Sequence, residues 1–327
     1  MSLPQSLADR LVLPAIAAPM FLTSGPDLVV ETCRAGVVGT FPALNQRTTQ
    51  GFADWCVEIE DRLAALARPA PYGVNLIVHK TNPRVAADLE VVVRHKVPLV
   101  ITSLGAVPDV IAAVHSYGGL VFHDVINRRH AEKAAQAGAD GIICVAAGAG
   151  GHAGTLSPFA LIAEIKAFFD GVVILSGAMN TGRDIVAARA MGADLAYLGT
   201  RFIATREAMV EQAQKDMMLE ASAADIIYTP NVSGVAANFM RQSLISVGLD
   251  PDNLPPHRGM NMDNEARAWK TVWSAGQGVG SIHDVPTTAE LCARLTAEYR
   301  AAIAELAADP FAGGSNSVDQ AAAAVLA

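Results

Sequence analysis

Short apolar runs recur along the chain, and stretches with helical periodicity lie between them. The runs are continuous rather than alternating, which is typical of parallel strands that are buried on both faces. Strands are predicted at Ala15–Ala18, Val37–Phe41, Tyr72–Leu76, Leu99–Thr102, Leu120–His123, Gly141–Val145, Val172–Leu175 and Leu195–Leu198. This alternation, repeated about eight times, predicts an α/β fold of the (β/α)8 TIM barrel type.

The pattern changes after Thr200. A methionine-rich helix is predicted over 206–222, and a long helix with leucines on one face over 288–306. We therefore predict three parts: a cofactor-binding barrel over 1–205, completed by a helix at about 286–307; a smaller, mostly helical lid domain over 206–285; and a weakly ordered tail over 308–327.

Composition narrows the class of protein. No apolar run reaches the roughly 18 residues that a membrane span needs, and the first residues lack a secretory signal pattern, so we expect a cytoplasmic protein. The formal net charge of −8 argues against nucleic acid or an anionic membrane as the partner. The four cysteines lie far apart, and no metal-binding motif occurs, so we expect neither a disulfide framework nor a metal. A homo-oligomer is left open.

The most informative motif is the glycine-rich loop Gly148–Gly154, which follows a predicted buried strand and contains His152. Glycines let the backbone approach a ligand closely, and an imidazole exchanges protons near neutral pH. A dinucleotide-binding loop is the rival interpretation. Its glycine spacing is wrong here, and Asp170 precedes its strand instead of ending it.

Other polar and small residues stand at the predicted strand ends, where barrels of this type bind ligands. The turns at Ser176–Ala178 and Gly199–Thr200 stand where barrels of this type bind a phosphate group, although such turns can also be purely structural. Asn75 suits the polar edge of a flavin or the cap of a helix, and His123 suits either chemistry or the core. The set of expected ligand contacts is Ala18, Pro19, Met20, Asn75, Asp124, Gly150, Gly151, Ser176, Gly177, Ala178, Gly199 and Thr200.

Five segments together resemble the nitronate monooxygenases, formerly 2-nitropropane dioxygenases. They are Ala18-Pro-Met20, Gly73-Val-Asn-Leu76, Ala149-Gly-Gly-His-Ala-Gly154, Leu198-Gly-Thr-Arg-Phe202 and Trp273-Ser-Ala-Gly-Gln-Gly278. The resemblance implies a TIM barrel that holds non-covalent FMN, with His152 as the catalytic base. It carries FMN contacts over to Met20, Asn75, Gly150, Gly151, Ser176, Gly177, Gly199 and Thr200.

The resemblance also implies a reaction. His152 takes the α-proton of a nitroalkane, or the nitronate anion binds directly; an electron passes to FMN, O2 joins, and a carbonyl compound and nitrite result. One position departs from the family: some relatives have a lysine after the histidine of the fifth strand, and this chain has Asp124. An acid at that position disfavours a negatively charged reduced flavin unless it is paired elsewhere.

Two other functions stay open at this stage. FMN-dependent NAD(P)H reductases, of the enoyl-acyl-carrier-protein or quinone type, share the barrel and a similar loop. A barrel without a flavin, such as a lyase for a phosphorylated substrate, is the third.

Overall fold

The computed structural model describes residues 3–256 and 270–309. Eight parallel strands close into a barrel, and β1 pairs with both β2 and β9 to complete the ring. The barrel strands are β1 (Ala15–Ala17), β2 (Val38–Pro42), β3 (Tyr72–Ile77), β4 (Leu99–Ser103), β5 (Leu120–Val125), β6 (Gly141–Val145), β8 (Val172–Ser176) and β9 (Leu195–Leu198). The predicted TIM barrel is confirmed.

The continuous apolar runs arise because alternate residues of each strand enter two different cores. Phe122 and Ile143 belong to a cluster that fills the barrel interior, whereas Val121 and Ile142 pack outward against the surrounding helices. One predicted strand boundary is wrong. β5 does not end at His123 but continues to Val125, paired with β6, so Asp124 lies on the inner face of the barrel, in register with Ile143.

Helices cover the outside of the barrel and begin and end at recognisable signals. Their bounds are α1 (Gln5–Ala8), α2 (Pro26–Arg34), α3 (Thr49–Ala64), α4 (Val85–Arg94), α5 (Pro108–His115), α6 (Arg128–Ala137), α7 (Pro158–Lys166) and α8 (Gly182–Ala190). α6 ends at Gly138, whose φ of 94° is left-handed and therefore suits glycine. None of the helices in the described ranges is long and apolar enough to cross a membrane.

The C-terminal helix α12 (Thr288–Ala307) packs against α8. The contact is close because a Cβ on Gly182 would lie 2.3 Å from the Leu295 carbonyl oxygen, so only glycine fits. The Gly182 N–H also donates to Glu298 Oε2 at 2.7 Å. α12 also packs against α2, so it lies between α8 and α2 in the ring of helices around the barrel.

Both helices and strands follow Thr200. The elements are α9 (Thr200–Ile203), α10 (Gln212–Glu220), β10 (Ile226–Thr229), β11 (Ala237–Met240) and α11 (Arg241–Ser246), with short 3-10 helices at Ala43–Asn45, Ala223–Asp225 and Gln277–Ser281. The helix predicted from 206 is wrong over 206–211, because Arg206 N–H donates to the Pro286 carbonyl and Met209 N–H to the Thr23 carbonyl.

The two strands of this segment were not predicted. β10, β11 and the short strand β7 (Gly151–His152) form a three-stranded antiparallel sheet. Residues 257–269 of the predicted lid, and 310–327 of the predicted tail, lie outside the described residues. The division into domains stays a prediction.

Candidate active site

A large cavity of about 1340 Å³ lies at the C-terminal ends of the barrel strands. It exceeds the range of about 300–1,000 Å³ common for one small ligand, so it offers room for a cofactor and a substrate together. The predicted residues that line it are Ala18, Pro19, Met20, Asn75, Asp124, Gly150, Gly151, His152, Ser176, Gly199 and Thr200. Gly177 and Ala178 instead line a small adjoining recess. All the predicted site residues therefore lie at one end of the barrel.

The recess is small and polar, with a volume of about 20 Å³. Two successive residues in its wall have left-handed backbone conformations, Gly177 with φ 141° and Ala178 with φ 53°. A non-glycine residue in this region is uncommon and is kept where the surrounding structure fixes the turn. The turn after β8 is thus shaped specifically at the recess.

Glycines bring three chain segments into contact beside this recess. A Cβ on Gly150 would lie 2.9 Å from the Gly276 nitrogen, so a side chain at Gly150 would push the two segments apart. Gly276 N–H donates to Thr200 Oγ1 at 2.8 Å, which leaves the hydroxyl proton of Thr200 for a ligand. Gln277 N–H donates to the Gly148 carbonyl at 2.9 Å. The recess therefore suits an acceptor-only anion such as a phosphate group.

The loop that carries His152 is held by the segment after the barrel. His152 pairs with Ala237 and Gly151 pairs with Asn238, as β7 adds to the edge of β11. Gly151 N–H donates to Ser274 Oγ at 2.8 Å, and Asn238 Nδ2 donates to the Ala149 carbonyl at 2.6 Å. His152 is thus held at the cavity by a loop with defined partners.

Three polar side chains on neighbouring strands form a directional chain of hydrogen bonds. Asn75 Nδ2 donates to Ser103 Oγ at 2.8 Å, and Ser103 Oγ donates to Asp124 Oδ2 at 2.5 Å. Burial raises the pKa of Asp124 to about 6, against the opposing effects of Ser103 and of His152. The other carboxylate oxygen, Oδ1, is buried and has no hydrogen-bond partner among the described residues.

The sequence profile of a family described as nitronate monooxygenase matches residues 7–298. The chain belongs to this family. The resemblance expected from the five sequence segments is therefore confirmed. Family membership makes the chain a flavin-dependent oxidoreductase.

Three known proteins illustrate the likeness. A nitronate monooxygenase of Paraburkholderia phytofirmans is 27% identical over 354 residues, covering 90% of this chain and 94% of the relative. A (3aS,4S,5R,7aS)-5-hydroxy-7a-methyl-1-oxo-octahydro-1H-indene-4-carboxyl-CoA dehydrogenase of Rhodococcus jostii is 26% identical over 233 residues, covering 71% of this chain but only 64% of that protein. The solved nitroalkane oxidase of Streptomyces ansochromogenes has a TM-score of 0.80 at 23% identity, covering 92% of this chain and 100% of that one, and it shares the fold.

The geometry fits the flavin that this family uses. The recess with its glycine approaches would take a phosphate group, and Gly199 lies beside Met20, since a Cβ on Gly199 would be in van der Waals contact with Met20 Sδ at 3.7 Å. The Asn75 amide nitrogen is already engaged with Ser103, so its oxygen is the atom that a ligand N–H can reach. Within the described ranges, no group of three or more His, Cys, Asp or Glu side chains is arranged to hold a metal ion.

Two further titratable side chains at the cavity are electrically neutral. His123 lies with Nδ1 2.7 Å from Thr102 Oγ1, and burial, with a smaller effect of His130, lowers its pKa to about 4. Burial, followed by the charge of Asp124, raises the pKa of Tyr197 well above its ordinary value. Tyr197 therefore stays a phenol that can donate a hydrogen bond.

Some residues of the site were not identified as such from the sequence. Asn180, Tyr197 and Gly278 line the recess, and Ser274 and Asn238 hold the His152 loop. Ser274 and Gly278 lie in the segment Trp273–Gly278, whose glycine spacing was the available sequence signal. Ser103 and Asn238 carried no signal, since neither lies in a motif.

Proposed function

We propose that the chain oxidises nitroalkanes, or their nitronate anions, with O2 to a carbonyl compound and nitrite, using FMN and His152 as the general base. The observation that carries this proposal is the position of His152, which a strand pairing holds at the cavity whose other side forms the small polar recess. The bound flavin would supply the acceptor for electrons from the nitronate.

FMN is proposed rather than FAD because the recess offers one site for a single phosphate group. Gly150 and Thr200 line that one position, and Gly276 lies against both of them. The sequence carries no second glycine fingerprint for an adenylate half.

In the proposed reaction His152 takes the α-proton of a neutral nitroalkane and then faces the nitronate as a cation. An imidazole suits this role because it can exchange a proton near neutral pH. The phenol of Tyr197 can donate a hydrogen bond within the same cavity. These groups bind and deprotonate the substrate without needing a metal.

Cationic side chains supply attraction for an anionic substrate. Arg47, Lys133 and Lys270 line the cavity. Arg47 follows β2 and Lys133 lies on α6 after β5, and neither of these strands neighbours β8 or β9, which precede the turns of the recess. They are therefore placed for substrate rather than for the flavin phosphate, and their field raises the local concentration of anions.

A hydride-fed reductase is the alternative, and the dehydrogenase of Rhodococcus jostii among the relatives is the observation in its favour. One experiment separates the two. The visible spectrum of the purified protein is recorded, then anaerobically after propyl-2-nitronate, and in a second sample after NADH or NADPH. Bleaching by the nitronate alone is expected; rapid bleaching by a nicotinamide alone would overturn the oxygenase.

The identity of the flavin is tested on the same sample. Heat release followed by chromatography is expected to yield FMN. Recovery of FAD, or a flavin that stays with the denatured chain, would contradict the proposal. Cytoplasmic location and self-association remain predictions from the sequence.

A further inference from the structure

Asp124 is an acid that lines the cavity, and the proposed reaction gives it no part. It lies on the inner face of β5, in register with Ile143 of β6. His152 lies on the loop that follows β6, so the carboxylate and the imidazole come from neighbouring positions around the barrel. Both line the same cavity.

The hydrogen bond from Ser103 favours the ionised form of Asp124 and opposes burial, which raises its pKa to about 6. The single proton of the Ser103 hydroxyl points to Asp124 Oδ2 at 2.5 Å, while Asn75 Nδ2 donates to the same hydroxyl at 2.8 Å. A hydroxyl that donates in this way favours the ionised carboxylate. Oδ1 remains buried without a hydrogen-bond partner among the described residues, which is costly for a charged oxygen unless a positive group lies nearby.

His152 is the group that can supply a positive charge there, once it has taken the substrate proton. The groups that act on Asp124 are Ser103 on β4, His152 on β7 and Tyr197 on β9. Of these, Ser103 and Tyr197 are neutral, and the interaction with His152 is attractive. Opposite charges attract strongly away from bulk water, so an ionised Asp124 stabilises His152 after His152 has taken the substrate proton.

We propose that Asp124 is a positioning residue for His152: its carboxylate, held by Ser103 on one oxygen, stabilises the imidazole once it has taken the substrate proton. The inference rests on His152 as the proposed base. It has a consequence for specificity. The same negative charge assists removal of a proton from a neutral nitroalkane and repels a nitronate that arrives as an anion, so Asp124 biases the site towards neutral nitroalkanes.

The kinetic test uses Asp124→Asn, which keeps an oxygen for Ser103 and removes the charge. The ratio of kcat/KM for a neutral nitroalkane to kcat/KM for its preformed nitronate should fall by about tenfold, the equivalent of one pKa unit of coupling. Ser103→Ala removes a hydrogen bond that favours the ionised carboxylate but keeps the carboxyl group, so it should lower the ratio less than Asp124→Asn does. Glu211→Gln removes another acid that lines the cavity and is the matched control. An unchanged ratio in Asp124→Asn would overturn the proposal.

A second measurement does not depend on turnover. The carboxyl carbon of Asp124 is titrated by NMR in the holoenzyme and in His152→Gln. Loss of the attractive partner should raise the pKa of Asp124 above its value of about 6. An unchanged titration would show that the two groups are not coupled. If neither substrate is turned over, the function proposed above fails, whereas this titration still decides whether Asp124 and His152 act as a pair.

Discussion

The two sides of the cavity are built in different ways. The recess is formed largely by turns of the barrel itself, at Ser176–Ala178 after β8 and at Gly199–Thr200 after β9. The His152 loop also follows a barrel strand, but its conformation depends on β11 and Ser274, far away in sequence. Ligand anchoring is therefore encoded mainly within the barrel, and placement of the base depends on the segment that follows it. Mutations should separate the two.

The largest expected effect is on the side of the cavity that carries His152. His152→Ala removes the base but none of the contacts of the recess, so the protein should still fold and bind its flavin. Activity on a neutral nitroalkane should fall by roughly 10²-fold or more, the usual scale for a general base. Turnover of a preformed nitronate should fall less, because it needs no deprotonation.

Steady-state kinetics on both substrates measure this difference, and flavin absorbance of the purified variant is the control. The kcat/KM profile for the neutral substrate should also lose its limb near the ordinary pKa of an imidazole. Equal losses on both substrates would leave His152 as an anion binder. With no loss on either substrate, the chemistry would lie elsewhere, and His123 would be the next candidate.

The next largest effect is expected on the side of the cavity that forms the recess. Thr200→Glu places a carboxylate where the recess would hold a phosphate, so repulsion should weaken flavin retention by about tenfold or more while His152 keeps its position. Equilibrium dialysis of the flavin measures the loss. Thr200→Ser keeps the hydroxyl that accepts from Gly276 and should retain the flavin. Full flavin occupancy in Thr200→Glu would remove this residue from the site.

A smaller effect should come from the support of the His152 loop. Asn238→Ala removes the hydrogen bond from Asn238 Nδ2 to the Ala149 carbonyl and leaves that buried acceptor unpaired. Such a loss costs about 1–3 kcal/mol, and loosened placement of the base should lower kcat by about tenfold. Flavin binding should change less than kcat, because the turns after β8 and β9 that form most of the recess keep their own contacts, although Ala149 also lines it.

Asn231→Ala is the matched control, since Asn231 Nδ2 donates to the Leu254 carbonyl, away from the loop. It should retain kcat. If Asn238→Ala lost flavin and activity together, the two sides of the cavity would not be separable.

The same division explains what the sequence could predict. All eight barrel strands were predicted to within a few residues, because each is a continuous apolar run whose signal is local. The turns at Ser176 and Gly199 followed from those strands. β10 and β11 were missed since the short antiparallel strands of a small sheet depend on their partners. The glycines around His152 suggested a loop with little packing, yet its partners Asn238 and Ser274 are 86 and 122 positions along the chain from His152. No local sequence pattern can predict contacts between residues so far apart in the chain.

The smallest expected effect concerns α8, which begins just after the recess. Thr181 Oγ1 accepts from Asp184 N–H at 3.2 Å, and Asp184 Oδ2 accepts from Thr181 N–H at 2.9 Å, a reciprocal cap. Thr181→Ala should lower the free energy of unfolding by about 1 kcal/mol, as loss of a helix cap usually does. Flavin affinity should stay within about twofold, because Asp184 Oδ2 still accepts from the N–H of Asn180, which lines the recess. Thr181→Ser restores the cap and should restore the stability measured by urea unfolding. A large loss of flavin in Thr181→Ala would instead mean that the cap shapes the recess. The recess would then depend on the helices around the barrel as well as on the barrel turns.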